Sequence, residues 1–138
     1  MIPLNDARYS WTHYFHYDLE IVKRLHKFGI ELDFLNRVGG YFNSTPLYAS
    51  AFCGYIDTVK YYLEIGADPT IPDDVGVSPI ENVYEEDNIE MVKLLASPET
   101  ILMKTFDDPK LNIYEIALRD GNAKYIELFE SVLGKTEK

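Results

Sequence analysis

His13 and His16 stand three residues apart, a spacing that puts two imidazoles on neighbouring positions of a helix. Such a pair is compatible with a metal ion, but a site needs a third and usually a fourth ligand. No Cys, His, Asp or Glu cluster of matching spacing follows, so partly exposed helical histidines, with His26 the third, are the better reading. Cys53, the one cysteine, has no sequence sign of activation, since a catalytic thiol needs a base beside it. Its expected neighbours are acidic, which raises a thiol's pKa. Val38-Gly39-Gly40 has no lysine behind it to make a phosphate loop. Asp73-Asp74, Glu85-Glu86-Asp87 and Asp107-Asp108 lack the alternating oxygen-ligand spacing of a calcium loop, and adjacent helical residues do not converge on one point. These residues therefore predict no catalytic group, no cofactor and no metal, and the chain reads as non-enzymatic.

The 138 residues suit one domain, and 46% apolar with 14% aromatic residues can bury a sizeable core. No apolar run approaches the roughly 20 residues of a membrane span. The N-terminal MIPLNDARYSW lacks a basic region followed by an apolar block. A single cysteine fits a reducing compartment, so a soluble, cytoplasmic protein is expected. The net charge of −10 argues against nucleic acid as partner, and its placement says more. Residues 1–37 and 109–138 each carry five Lys/Arg and five Asp/Glu, whereas 38–108 carries three against thirteen. The whole excess lies in the middle, where it serves solubility or steers a cationic partner.

The elements that must position these charges repeat. At a shift of 33, Thr45-Pro46-Leu47 falls on Ser78-Pro79-Ile80, and Val59-Lys60 on Val92-Lys93. A further shift of 34 puts Ile80 on Tyr114 and Val92 on Ile126. Upstream, Val22 and Gly29 fall on Val59 and Gly66 at a shift of 37. Each copy reads as two short helices and a turn. The Thr45 or Ser78 hydroxyl caps a first helix with proline at its first position. Gly54 ends that helix, Ile56–Ile65 forms a second with Ile56, Val59, Tyr62 and Leu63 on one face, and Gly66 stops it. Ala67–Gly76 is then a turn or hairpin-like excursion. One such pair cannot bury its apolar stripe, but stacked copies can. After Leu95 the pattern departs: Ser97-Pro98-Glu99 reads as a fresh helix start, with Ile101, Leu102 and Phe106 as its apolar side.

The residues TPLY…AxxG…TVKYYLEIGADPT, at a period of about 33, resemble ankyrin repeats. The resemblance implies an all-α ankyrin-repeat solenoid of stacked helix-turn-helix pairs with projecting turns. It implies a single domain over 1–138, with repeats at approximately 4–33, 43–74, 76–106 and 110–134. The family's histidine after TPL is Tyr48 here, then Glu81 and Glu115, and Asp87 stands where a glycine is usual.

The family, by resemblance, binds proteins through its turn tips and the residues before the mid-repeat glycine. Carried over, these are Tyr41, Phe42, Ser44, Phe52 and Cys53 in the second copy, and Asp74, Val75, Val77, Glu85 and Glu86 in the third. In the fourth they are Asp108, Leu111, Arg119 and Asp120. Aromatic anchors beside acidic groups suit a protein partner with a basic or mixed surface, although Tyr41 and Phe42 could instead pack within their own long turn. The expected function is a non-enzymatic protein-binding module, monomeric when free. One version is an inhibitor or immunity protein of a cationic toxin, since ankyrin-like immunity proteins exist. The alternative is a scaffold or adaptor subunit bound through apolar contacts.

Overall fold

The structure, a computed structural model, describes residues 19–27 and 44–134. The His13–His16 pair, Tyr41, Phe42 and residues 135–138 lie outside the described residues, as does the His26 side chain. The described helices are α1 (Leu19–Lys27), α2 (Pro46–Cys53), α3 (Ile56–Glu64), α4 (Pro79–Glu85), α5 (Ile89–Leu95), α6 (Pro98–Ile101), α7 (Ile113–Asp120) and α8 (Ala123–Leu133).

The same local chemistry starts and stops each copy. Thr45 Oγ1 accepts from Tyr48 N–H (3.1 Å), Ser78 Oγ from Glu81 N–H (3.2 Å) and Asn112 Oδ1 from Glu115 N–H (2.9 Å), satisfying N–H groups that the first turn leaves open. Pro46 and Pro79 occupy the first turn of α2 and α4. At the other end Gly54, Asp87 and Gly121 have φ of 84°, 59° and 68°, and the next residue's N–H reaches back to the Ser50, Val83 or Ala117 carbonyl at 3.0 Å. Asp87 is the non-glycine among them and adopts the left-handed backbone all the same.

These stops turn the chain back so that α2 packs on α3, α4 on α5 and α7 on α8, while α2 lies beside α4 and α1 beside α3, with α3 beside α5. The result is a helical solenoid, in which Lys104 forms an antiparallel bridge with Asn112. Leu47, Val59, Tyr62, Ile80, Met91 and Phe129 are fully buried along its axis. Each large apolar side chain so buried contributes about 1.5–3 kcal/mol before chain entropy is charged against it.

The segment after α5 differs in part from the expectation. Ser97 does open a helix through a reciprocal cap with Thr100, but α6 ends after four residues. Ile101 is buried, whereas Leu102 and Phe106 are exposed, so they are not its apolar side. Beyond them Thr105 N–H bonds the Leu111 carbonyl (2.9 Å), closing a hairpin-like excursion from 104 to 112. Backbone pairing across that excursion, rather than a continued helix, sets where Phe106 points.

Candidate functional site

Two projecting turns are built on carboxylates. In the first, Asp73 Oδ1 accepts the N–H groups of Val75 (3.1 Å), Gly76 (2.9 Å) and Val77 (2.9 Å), which a short acidic side chain does well in a tight turn. Its other oxygen, Oδ2, accepts from the Tyr48 hydroxyl at 2.9 Å. Burial and the neighbouring Asp73 carboxylate push the Tyr48 phenol well above its ordinary range, so it stays a donor. In the second turn, Phe106 N–H donates to Glu81 Oε1 (2.9 Å) and Asp107 N–H to Oε2 (3.0 Å). Glu81 is only 2% exposed, and the two charge-assisted bonds are what makes that burial tolerable.

Between α4 and α7 these elements leave a groove of ≈ 420 Å³. Its floor includes Ile113 and Ile116, and Glu85, Asp107 and Asp120 line it with Arg119 and Lys124. The cations in it are engaged. Arg119 pairs with Asp120 (3.1 Å) and Asp108 (3.8 Å), and Lys124 with Asp87 (3.1 Å). Glu85 and Asp107 take part in none of the ion pairs among the described residues. Burial, followed by the repulsion of Glu81, Asp107 and Glu86, raises the Glu85 carboxyl above its usual range. At Asp87 the balance is opposite: Lys124 and the Tyr125 hydroxyl (3.0 Å) hold its carboxyl below the usual range.

The structure thus brings Glu85, Arg119 and Asp120 to one groove, with Asp108 joined through Arg119. Glu86 is exposed next to Glu85 but does not line it. Asp74 and Val75 are exposed on the first turn tip and Val77 is half-buried there. Phe52 is 49% exposed at the end of α2, away from the groove lining. Leu111 is half-buried, its N–H donating to the Asp108 carbonyl. Ser44 requires a correction. It is 0% exposed, so it offers no contact surface. At Cys53 the thiol pKa is raised as expected, but burial is the cause rather than acidic neighbours. Among the described residues no group of three or more His, Cys, Asp or Glu could hold a metal ion.

Sequence reasoning missed Asp107, Asp87 and Glu81 as site builders. A usable signal existed for Glu81: the 33-residue register sets it on Tyr48, one residue past the buried Leu47 and Ile80. A carboxylate there must find buried donors.

The repeated caps, the left-handed stops and the projecting turns fit the helix-turn-helix solenoid of ankyrin repeats. The ankyrin-repeat family model matches residues 42–74, which is consistent with an ankyrin-repeat protein. Over 56 residues, 38% of this chain, it is 41% identical to the NAD-dependent deacetylase sir2B of Dictyostelium discoideum, and covers 7% of that protein. Over 74 residues, 54% of this chain, it is 35% identical to the palmitoyltransferase AKR1 of Lachancea kluyveri, and covers 10% of it. The chain spans a tenth or less of these curated relatives. Ankyrin repeats are protein-interaction modules. Among the described residues no helix is long and apolar enough to cross a membrane.

Proposed function

We propose that the chain is a non-enzymatic binding module whose groove between α4 and α7 takes a basic surface of another protein. The repeats are taken as 4–33, 43–74, 76–106 and 110–134 of one domain, acting as a cytoplasmic monomer. The observation that carries this reading is the charge left over in the groove. Among the described residues Glu85 and Asp107 stand outside the ion pairs, while Arg119 and Lys124 are paired with other carboxylates. A lysine or arginine arriving there relieves the like-charge repulsion at Glu85, so complementarity favours it and steers it in. Asp74 and Glu86 are further exposed carboxylates, and Asp120 lines the groove itself.

The finer form of this reading is an inhibitor or immunity protein that covers a cationic toxin. A scaffold bound by apolar contacts is the second reading, favoured by the exposure of Phe52, Val75, Phe106 and Leu118. Capture of partners from the native lysate at low and at high salt, with identification by mass spectrometry, separates the two. A basic protein held at low salt and depleted at high salt supports the acidic groove. A partner that survives high salt supports the scaffold.

A further inference from the structure

Two seams of the stack differ. Between the second and third copies α2 lies beside α4, and the left-handed stop of α2 is Gly54. Between the third and fourth, α4 and α7 are parted by the groove of ≈ 420 Å³, and the stop after α4 is Asp87. Glycine would serve that backbone at φ 59° without steric cost, so what Asp87 adds is the reach of its carboxylate. Its Oδ1 meets Lys124 Nζ at 3.1 Å and accepts from the Tyr125 hydroxyl at 3.0 Å, both in the first turn of α8. The later seam is held in two ways. Packing holds part of it: Tyr125 lies edge-on to Tyr84 with ring centroids 4.8 Å apart, Phe129 follows at 6.1 Å, and α8 rests beside α6. Ion pairs hold the rest. Glu81 fixes the backbone of Phe106 and Asp107 to the third copy, so both Asp87–Lys124 and Asp108–Arg119 (3.8 Å) cross to the fourth. All four of these charged side chains are 36% exposed or more, and pairs so exposed hold weakly and fade as salt rises.

We propose that the seam between the third and fourth copies is a hinge, in which α7 and α8 turn as one leaf about the Tyr84, Tyr125 and Phe129 rings and Asp87 is the tether that fixes their angle. α7 packs on α8, so the two move together, and a few residues at an element end are enough to absorb such a turn. The width of the groove is then set at Asp87. One wall carries Glu85 and Asp107, and α7 supplies Ile113 and Ile116. A basic side chain with its head at the acids lays its apolar stem on those isoleucines and draws the leaf in. This last step rests on the acidic-groove reading; the hinge itself does not.

The test measures spin-label distances in the full chain. One label pair spans the hinge, on Glu86→Cys and Leu118→Cys in a Cys53→Ser background. The control pair spans the earlier seam, on the native Cys53 and Glu86→Cys. Asp87→Gly should widen the distribution of the first pair by more than about 2 Å, the scale of a hinge rather than a side-chain adjustment, and leave the control pair as it was. Asp87→Asn, which keeps an acceptor for Tyr125 but no charge for Lys124, should fall between, and high salt should widen the wild-type distribution in the same direction. Unchanged distances in Asp87→Gly overturn the hinge, and so does equal widening of both pairs, which would mean general loosening at Glu86. N-acetyl-arginine amide should narrow the first pair in Asp87→Gly. If the variant widens but this cation does not narrow it, the hinge stands and the acidic-groove reading fails.

Discussion

The hydroxyl of Tyr48 donates to Asp73 at 2.9 Å across 25 residues of chain, and one repeat later Glu81 receives Phe106 N–H at 2.9 Å across the same span. One repeat position thus ties the projecting turn to the helix stack in both copies, by opposite chemistry. In the first the stack supplies the donor, and in the second the acceptor. In the last copy the same position, Glu115, accepts from its own Asn112 N–H (3.0 Å), closing a capping box.

Glu81→Gln should destabilise the protein by about 1–3 kcal/mol, because the amide keeps one acceptor and aims a donor at a backbone N–H. Hydrogen exchange should speed up at Phe106 and Asp107 while amides near Gly54 keep their protection. Uniform loss of protection would mean that Glu81 serves the whole core instead.

Tyr48→Phe removes only the hydroxyl and should cost about 1 kcal/mol in denaturant melts. Because Asp73 keeps its three N–H partners, the turn at 73–77 should hold its shape. Collapse of the Val75–Val77 amide shifts in this variant would show that Tyr48, not Asp73, organises the turn.

The caps and stops were legible because they are local. Thr45-Pro46 and Ser78-Pro79 carry their own hydrogen-bonding logic, and Gly54 its conformational freedom, within four residues of chain. The burial of Leu47, Val59 and Tyr62 followed from spacing in the same way. What could not be read was set across the fold. Phe106 sits at helical spacing from Leu102, yet hairpin pairing from Thr105 to Leu111 and the Glu81 carboxylate place it on the surface. Ser44 was expected at a turn tip and is buried, which its local spacing does not signal. Asp87 looked like a misfit for glycine; its side chain is used, bridging to Lys124 and Tyr125 of the next copy.

Asp87→Ala should be worse than Asp87→Gly. Both lose the bridge to Lys124 and Tyr125, but only alanine adds the strain of a left-handed backbone. The lowered carboxyl pKa makes this bridge's contribution present above the ordinary Asp range and lost as pH falls through the folded value. Thermal melts against pH should therefore show the wild-type advantage over Asp87→Gly fading in acid. An advantage unchanged down to pH 2 would contradict the assignment.

Glu85 should behave the other way. Its raised pKa means that the folded state holds the proton more tightly than the unfolded state. The stability tied to this group is fully present below the unfolded pKa and is lost as pH rises through the folded value. Glu85→Gln should then raise the melting temperature at pH 7, and the gain should vanish below about pH 4, where the wild-type carboxyl is itself protonated. A lower melting temperature at pH 7 would show that Glu85 has an internal partner and is not held for an external cation.

The central claim is that Glu85 and Asp107 receive a cation from another protein. Its most direct measurement is the affinity of the captured partner for the wild-type chain and for the Glu85→Lys/Asp107→Lys variant, across a range of salt concentrations. At low salt the variant should bind about tenfold more weakly or worse, and its salt dependence should flatten. Equal affinity with an unchanged salt dependence would contradict it.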